Sequence, residues 1–245
     1  MRRFTIAVQF LTVFPLSTKH RFDEIDLGKS MLYFPLVGLG IGAILVCIRI
    51  PLSLYLPTAV TDALLITFLI VISGAMHLDA LADTADAVFS GKDKSGKLKI
   101  MKDSAVGAMG VVCIVMVILL KYAALVALAT TLKNKALLLM PLLGRWTQVI
   151  VAYTSDYAGL SKGLGFPFTT HVSLAILILT VLMSGIASLY LFSLPGLIVA
   201  GTVGVAALLY SFFFKWLLGG VTGDVLGAST ELTEVVVLIF ILAVS

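Results

Sequence analysis

Apolar runs of about 20 residues, unbroken by charge, dominate this chain, and a bilayer core about 30 Å thick is what helices of that length match. Membrane spans are predicted on that basis near 33–56, 59–76, 107–130, 134–153, 172–193, 196–217 and 232–245, the last being the weakest. Composition points the same way. Of 245 residues, 60% are hydrophobic and 12% charged, against roughly 25% charged in soluble domains. A soluble enzyme, a disordered tail, a collagen-like fibre and a disulfide scaffold are all excluded. A transmembrane barrel would show short alternating strands instead. Cys47 and Cys113 both lie inside apolar runs, so neither a disulfide framework nor a zinc site is expected. The expected fold is all-α: one polytopic membrane domain over residues 1–245, with six or seven transmembrane helices. No internal repeat or low-complexity segment is found.

The first 17 residues form a short amphipathic piece carrying Arg2 and Arg3, with no small-residue cleavage site behind it. It reads as an interfacial or re-entrant helix and not as a signal peptide. Basic residues then give sidedness. One face collects Arg2, Arg3, Lys19, Arg21, Lys29, Lys92, Lys94, Lys97, Lys99, Lys102, Lys162 and Lys215. The other gets Arg49, Lys133 and Lys135, while Lys121 and Arg145 fall inside spans. By the positive-inside rule the first face, and the N-terminus with it, is cytoplasmic. Seven spans would put the C-terminus on the opposite side. A bacterial or archaeal cell membrane, multi-pass, is the expected location.

The stretch 77–106 holds Asp79, Asp83, Asp86, Asp93 and Asp103 together with five lysines, a third of the chain's 30 charged residues. It opens HLDALADTADAVF. On a helix, Asp79, Asp83 and Asp86 fall within about 60° of one another, beside an apolar stripe of Leu78, Ala82, Ala85 and Phe89. An amphipathic acidic helix at the cytoplasmic face is predicted. Like charges one turn apart destabilise a helix, so a cation is called for. Mg²⁺ suits, because it is held by one or two carboxylates together with substrate phosphates. The bland alternative is a solvated helix, for which alternating sign would be usual. His77 is close enough to that face to serve as a hydrogen-bond partner or proton acceptor.

Lys92, Lys94 and Lys97 read as topology residues touching anionic lipid. Lys102, Asp103 and Ser104 stand just ahead of Gly107 and Gly110, where a helix N-terminus favours an anion such as phosphate. Asp103 is equally suited to capping that helix. Lys121 and Arg145 are costly inside a bilayer unless paired or facing a cavity, and Arg145 is taken as a phosphate or carboxylate partner. The loop YTSDYAGLSKGLGFPF is expected to contact substrate. The last cytoplasmic segment, GGVTGDVLGASTELTE, carries Asp224, Glu231 and Glu234, three acids that invite a cation or hold substrate. Transporters more often set polar groups at the midplane on broken helices, whereas here one face is acidic and glycine-rich and the other nearly featureless.

The segments HLDALADTADAVFSG and KLKIMKDSAVGAMG, with RRFTIAVQFLTVFPL, FPLVGLGIGA, GRW at 144–146 and GGVTGDVLGASTELTE, resemble the cobalamin synthase family, whose members are adenosylcobinamide-GDP ribazoletransferases. The resemblance runs the full length. One departure is that Ala80 and Ala87 stand where the family usually has glycine. The resemblance implies an enzyme joining adenosylcobinamide-GDP, a corrinoid, to α-ribazole or its 5′-phosphate, with release of GMP and a requirement for Mg²⁺. Asp79, Asp83 and Asp86 would be the metal ligands and, with His77, the catalytic groups; Asp86 or His77 would accept the hydroxyl proton. Lys102, Asp103, Ser104, Arg145, Asp224 and Glu231 would contact substrate. The bilayer is the other partner, nucleic acid is not one, and association of copies is left open. Two rivals are weighed. A CDP-alcohol phosphotransferase of lipid synthesis would carry an Asp-Gly … Ala-Arg pattern, but Asp86 precedes Ala87 and no arginine occurs between Asp86 and Arg145. A cation transporter would use the acids as an ion path.

Overall fold

The computed structural model describes residues 2–15, 23–159 and 161–244. Helix α1 (Arg2–Leu11) keeps its amphipathic pattern, burying Ile6, Ala7 and Leu11. Its basic start is tied to α2 (Glu24–Ser30) by Asp26, which takes Arg2 at 3.1 Å and Arg3 at 3.0 Å. Lys19 and Arg21, counted in the charge asymmetry, lie outside the described residues, as do positions 16 and 17 of the N-terminal piece. A 3-10 turn over Met31–Tyr33 leads into α3 (Phe34–Tyr55), and α4 (Thr58–Ile72) returns. Left-handed backbone at Gly74 (φ 61°) and Ala75 (φ 56°) then turns the chain by 86° into α5 (Met76–Phe89). At 15 residues α4 is short for a crossing of its own, and the acidic helix α5 leaves it at nearly a right angle.

The short α6 (Lys94–Ile100) precedes α7 (Ala108–Ala127) and α8 (Thr130–Thr154). The still shorter α9 (Phe166–His171) leads to α10 (Leu174–Leu218), and α11 (Gly223–Val244) ends the fold. A straight helix of 45 residues would be about 68 Å long, twice what the membrane needs. Helix α10 is not straight. Ser193 leaves helical geometry (φ 56°, ψ −140°) just ahead of Pro195, and the chain folds back until Gly196 meets the backbone of Ser188. Its two arms match the predicted spans 172–193 and 196–217.

By length and hydropathy, α2–α3, α7, α8, α10 and α11 can each cross a membrane, and α4 with α5 forms a sixth, bent candidate. The fold is thus a polytopic helical membrane protein. The last prediction needs correction: the closing span starts at Gly223, not 232. The acid-rich segment read as a cytoplasmic loop is the first half of a transmembrane helix, capped by Thr222, whose Oγ1 accepts from the Val225 N–H at 3.2 Å.

Helix α8 runs through the centre, buried at every position from Leu139 to Ala152 and packed on α3, α10 and α11. Gly38 and Gly42 explain its approach to α3, since a Cβ on either would collide with the α8 backbone at Pro141 or Leu137. Small residues one turn apart allow such contact between helices in lipid, where packing rather than water exclusion holds them together. At the far end, Lys133 pairs with Asp62 and Arg49 donates to Asn134 at 2.8 Å. Two of the three basic residues assigned to that face are therefore buried in the bundle.

Candidate active site

Helix α5 is wedged between α7 and α11, and its buried side is wider than one apolar stripe. His77, Leu78, Ala80, Leu81, Ala82, Thr84, Ala85 and Ala87 are all covered, whereas Phe89, predicted to join them, is exposed. The edge left open carries Asp79, Asp83 and Asp86. Two contacts lock it in place. Asp86 accepts the Gly107 N–H at 2.6 Å and the Gly110 N–H at 2.8 Å, so its carboxylate caps α7. Lys97, predicted to face lipid, is instead buried and donates to the carbonyls of Ala87 (3.1 Å) and Val88 (3.0 Å) at the other end of α5.

The fold adds an acid that lies far away in sequence. Asp224, in the first turn of α11, stands close enough to Asp83 to act on its charge. The Asp83 carboxyl is pushed up to about 7, first by burial and then by Asp224, Asp79, Asp86 and Asp103. Among the described residues no lysine or arginine pairs with Asp79, Asp83 or Asp224. Nor do three His, Cys, Asp or Glu side chains there converge on one metal position. The chemistry of the cluster nevertheless suits a hard cation, since it offers only carboxylate oxygens and its negative charge is uncompensated. Asp86 remains eligible, because two amide bonds occupy only part of a carboxylate's acceptor capacity.

A cavity of about 180 Å³ opens beside the cluster, between α5, α8, α9 and α11, lined by His77, Asp79, Gln148, Asp224, Leu164 and Phe168 among others. A second, of about 190 Å³, shares Leu164, Gly223 and Asp224 with it and is bounded by Lys102 and Tyr157. The loop expected to contact substrate thus lines both hollows. It is pinned to the start of α11 by the Ala158 N–H, which donates to the Val221 carbonyl at 2.9 Å. Lys102 Nζ donates to Ser161 at 2.9 Å, and Asp103 and Ser104 are exposed alongside.

Arg145 and Glu231 are not at this opening. Arg145 pairs with Glu234, and Lys121 pairs with Glu234 and, at 2.6 Å, with Glu231. All four side chains are buried and pair with one another, with Arg145 Nε left without a partner among the described residues, so Arg145 meets a carboxylate and neither it nor Glu231 stands at the opening expected to hold substrate. Charge inside a membrane protein needs a partner, and here the partner is protein. Sequence reasoning also missed Gln148, whose Nε2 lies 2.9 Å from His77 Nε2 and 2.5 Å from Thr230 Oγ1. A glutamine three residues past Arg145, inside an apolar span, was the available signal. His77 is held well below the usual imidazole range by its burial and by Arg145 and Lys121, and is neutral.

A family model described as cobalamin-5-phosphate synthase matches residues 3–242. The chain belongs to the cobalamin-5-phosphate synthase family. A relative from Geotalea daltonii, named adenosylcobinamide-GDP ribazoletransferase, is 38% identical over 100% of this chain and 98% of its own length. One of the same name from Desulforamulus reducens is 39% identical over 97% and 94%. A third, from Acetivibrio thermocellus, is 35% identical over 98% and 96%. No solved structure matches the chain. A Cβ on Gly227 of α11 would lie 2.6 Å from the Ala80 methyl, so the glycine facing it makes room for that methyl.

Proposed function

We propose that the acidic opening between α5 and α11 is where the chain joins adenosylcobinamide-GDP to α-ribazole or its 5′-phosphate, releasing GMP. The chain is a transferase of nucleotide-loop assembly in cobalamin biosynthesis. The observation that carries the site assignment is the gathering of unpaired carboxylates from α5 and α11 beside two cavities, just ahead of Lys102. In the reaction a hydroxyl of α-ribazole attacks the phosphate attached to cobinamide, and the bond to GMP breaks. Such a displacement needs positioning and charge neutralisation more than covalent help.

Asp79, Asp83 and Asp224 would hold Mg²⁺, with Asp86 adjoining. When bound, the ion neutralises charge on the pyrophosphate and the departing oxygen. Lys102, exposed at the rim, exchanges its bond to Ser161 for a phosphate oxygen. His77 is a poor proton acceptor, because its Nε2 faces the Gln148 amide; proton acceptance falls to the carboxylates. The excess of lysine and arginine on this face orients it to the cytoplasm. Arg49 and Lys133 are withdrawn into the bundle on the other side, which sharpens that asymmetry.

Incubating the membrane-reconstituted protein with adenosylcobinamide-GDP, α-ribazole and Mg²⁺ tests the reading. GMP and cobalamin are expected from the wild type, and folded Asp79→Asn and Asp83→Asn proteins are expected to lose at least about 100-fold in rate. Normal GMP release by both variants would remove the carboxylates from the mechanism.

A further inference from the structure

The two cavities meet at Leu164, Gly223 and Asp224, the residues that line both. Asp224 belongs to the carboxylate cluster. Leu164 is the one apolar side chain, among the described residues, that borders both hollows, and it is 73% exposed. An exposed leucine by itself means little, but this one is held from both sides. Ahead of it, the Tyr157 hydroxyl accepts the Gly163 N–H at 2.9 Å and donates to the Ser161 carbonyl at 2.9 Å. Behind it, the Gly165 backbone presses on the start of α11, where a Cβ on Gly165 would lie 2.6 Å from the Gly223 nitrogen. Only glycine permits so close an approach of two backbones. That contact sets Leu164 next to Asp224: a Cβ on Gly223 would stand 4.0 Å from the Leu164 Cβ.

The proposed reaction gives an apolar group a task at this joint. Two oxygens can attack the phosphorus attached to cobinamide. If a hydroxyl of α-ribazole attacks, its oxygen bonds to that phosphorus, the bridging P–O bond breaks, and GMP leaves with the bridging oxygen and its electron pair. If water attacks, the same bond breaks, and the products are adenosylcobinamide phosphate and GMP. In either case the proton of the attacking group passes to a carboxylate. Carboxylates and a metal ion would assist both attacks alike, and they attract water. What separates transfer from hydrolysis is exclusion of water from the reacting phosphate, which a hydrocarbon side chain supplies and a carboxylate does not.

We infer that Leu164 is a specificity-determining residue that keeps water from the reacting phosphate, sealing the joint between the two cavities once the substrates occupy them. This role rests on the proposed reaction and names what makes that site transfer a group to α-ribazole instead of hydrolysing the pyrophosphate. The bonds of Tyr157 and the contact of Gly165 with Gly223 hold the leucine over the joint.

The test counts products made by the full chain in bilayer nanodiscs, with GMP, cobalamin and adenosylcobinamide phosphate separated by chromatography from one reaction. The wild type is expected to make cobalamin and GMP in equal amounts and to release little GMP when α-ribazole is omitted. In Leu164→Ser, GMP release without α-ribazole is expected to rise at least about tenfold. With α-ribazole present, cobalamin per GMP falls and adenosylcobinamide phosphate makes up the difference. Leu164→Ala is expected to show the same change to a smaller degree, and Leu164→Met, which keeps an apolar cover, to keep the wild-type ratio. All products come from the same folded molecules, so the ratio does not depend on how much of a variant folds. A wild-type ratio in both Leu164→Ser and Leu164→Ala overturns the inference even if KM rises, since the leucine would then be a binding contact and nothing more. Hydrolysis by the wild type as fast as transfer overturns it without any variant. Absence of GMP from the wild type with both substrates present would sink the reaction itself, and this role with it.

Discussion

Replacing Glu234 by glutamine tests the charged layer beneath the cavity. Its Oε1 takes Arg145 and its Oε2 takes Lys121, while Lys121 also bonds Glu231 at 2.6 Å. The four side chains sum to zero charge, and none is more than 6% exposed. Glu234→Gln leaves one positive charge uncompensated in the bundle. Removing one partner of a buried pair costs about 3–5 kcal/mol. At about 2–4 °C per kcal/mol for a chain of this size, the unfolding midpoint should fall by about 6–20 °C. Thermal unfolding of the purified protein in detergent reads this directly. Lys121→Met/Glu234→Gln leaves Arg145 and Glu231 in balance and should recover most of the loss. A midpoint for Glu234→Gln within about 2 °C of wild type would refute the reasoning. Arg145→Met tests a phosphate-binding role for that arginine as well. If Arg145 held a phosphate, that variant would keep its midpoint and raise the KM for adenosylcobinamide-GDP; the structure calls for the reverse.

Three further outcomes follow from the contacts around α5. Asp86→Asn forfeits at least one of the bonds from Gly107 and Gly110, so stability should drop by about 1–3 kcal/mol, seen as faster amide exchange over residues 107–112. Gly227→Ala drives a Cβ into Ala80 and should cost about 1–3 kcal/mol by overpacking. The double variant Ala80→Gly/Gly227→Ala should regain that stability in the same unfolding assay. Below pH about 7 the Asp83 carboxyl is protonated and must release its proton to take a cation. Calorimetric Mg²⁺ affinity should therefore rise by up to about tenfold per pH unit on approaching 7, level off above it, and lose that dependence in Asp83→Asn.

Local pattern carried much of this architecture. The Ser-Leu-Pro break at 193–195 separated two apolar runs, and Ser193 is where α10 doubles back. The spacing of Asp79, Asp83 and Asp86 placed them on one open edge. What local pattern could not carry was long-range pairing. Glu231 and Glu234 read as surface acids because nothing near them in sequence is basic; their partners lie on α7 and α8. The start of α11 is hidden from local pattern for a related reason. Gly219, Gly220, Gly223 and Gly227 with three acids dilute the hydropathy, yet Gly227 is small because Ala80 presses on it and the two glutamates are apolar-compatible once paired. Lys97 likewise looked like a topology residue until α6 folded back to place its ammonium on the end of α5.

Helix α11 supplies acids to two layers, and the difference between them decides where chemistry can occur. Glu231 and Glu234, two to three turns below Asp224, are spent on Lys121 and Arg145, so that layer has no residual attraction for a cation. Asp224 and the α5 carboxylates have no such partners and keep theirs. His77 sits between the layers, where its own burial and then the two cations below keep it uncharged. A protonated imidazole at that point would offset part of the cluster's negative charge and weaken its hold on a divalent ion. A neutral one leaves that charge unaltered. The balanced quartet therefore does more than make buried charge tolerable: by spending Glu231 and Glu234 on cations of the protein, it leaves the uncompensated carboxylates at the rim as the place to which a divalent ion of the proposed reaction would be drawn.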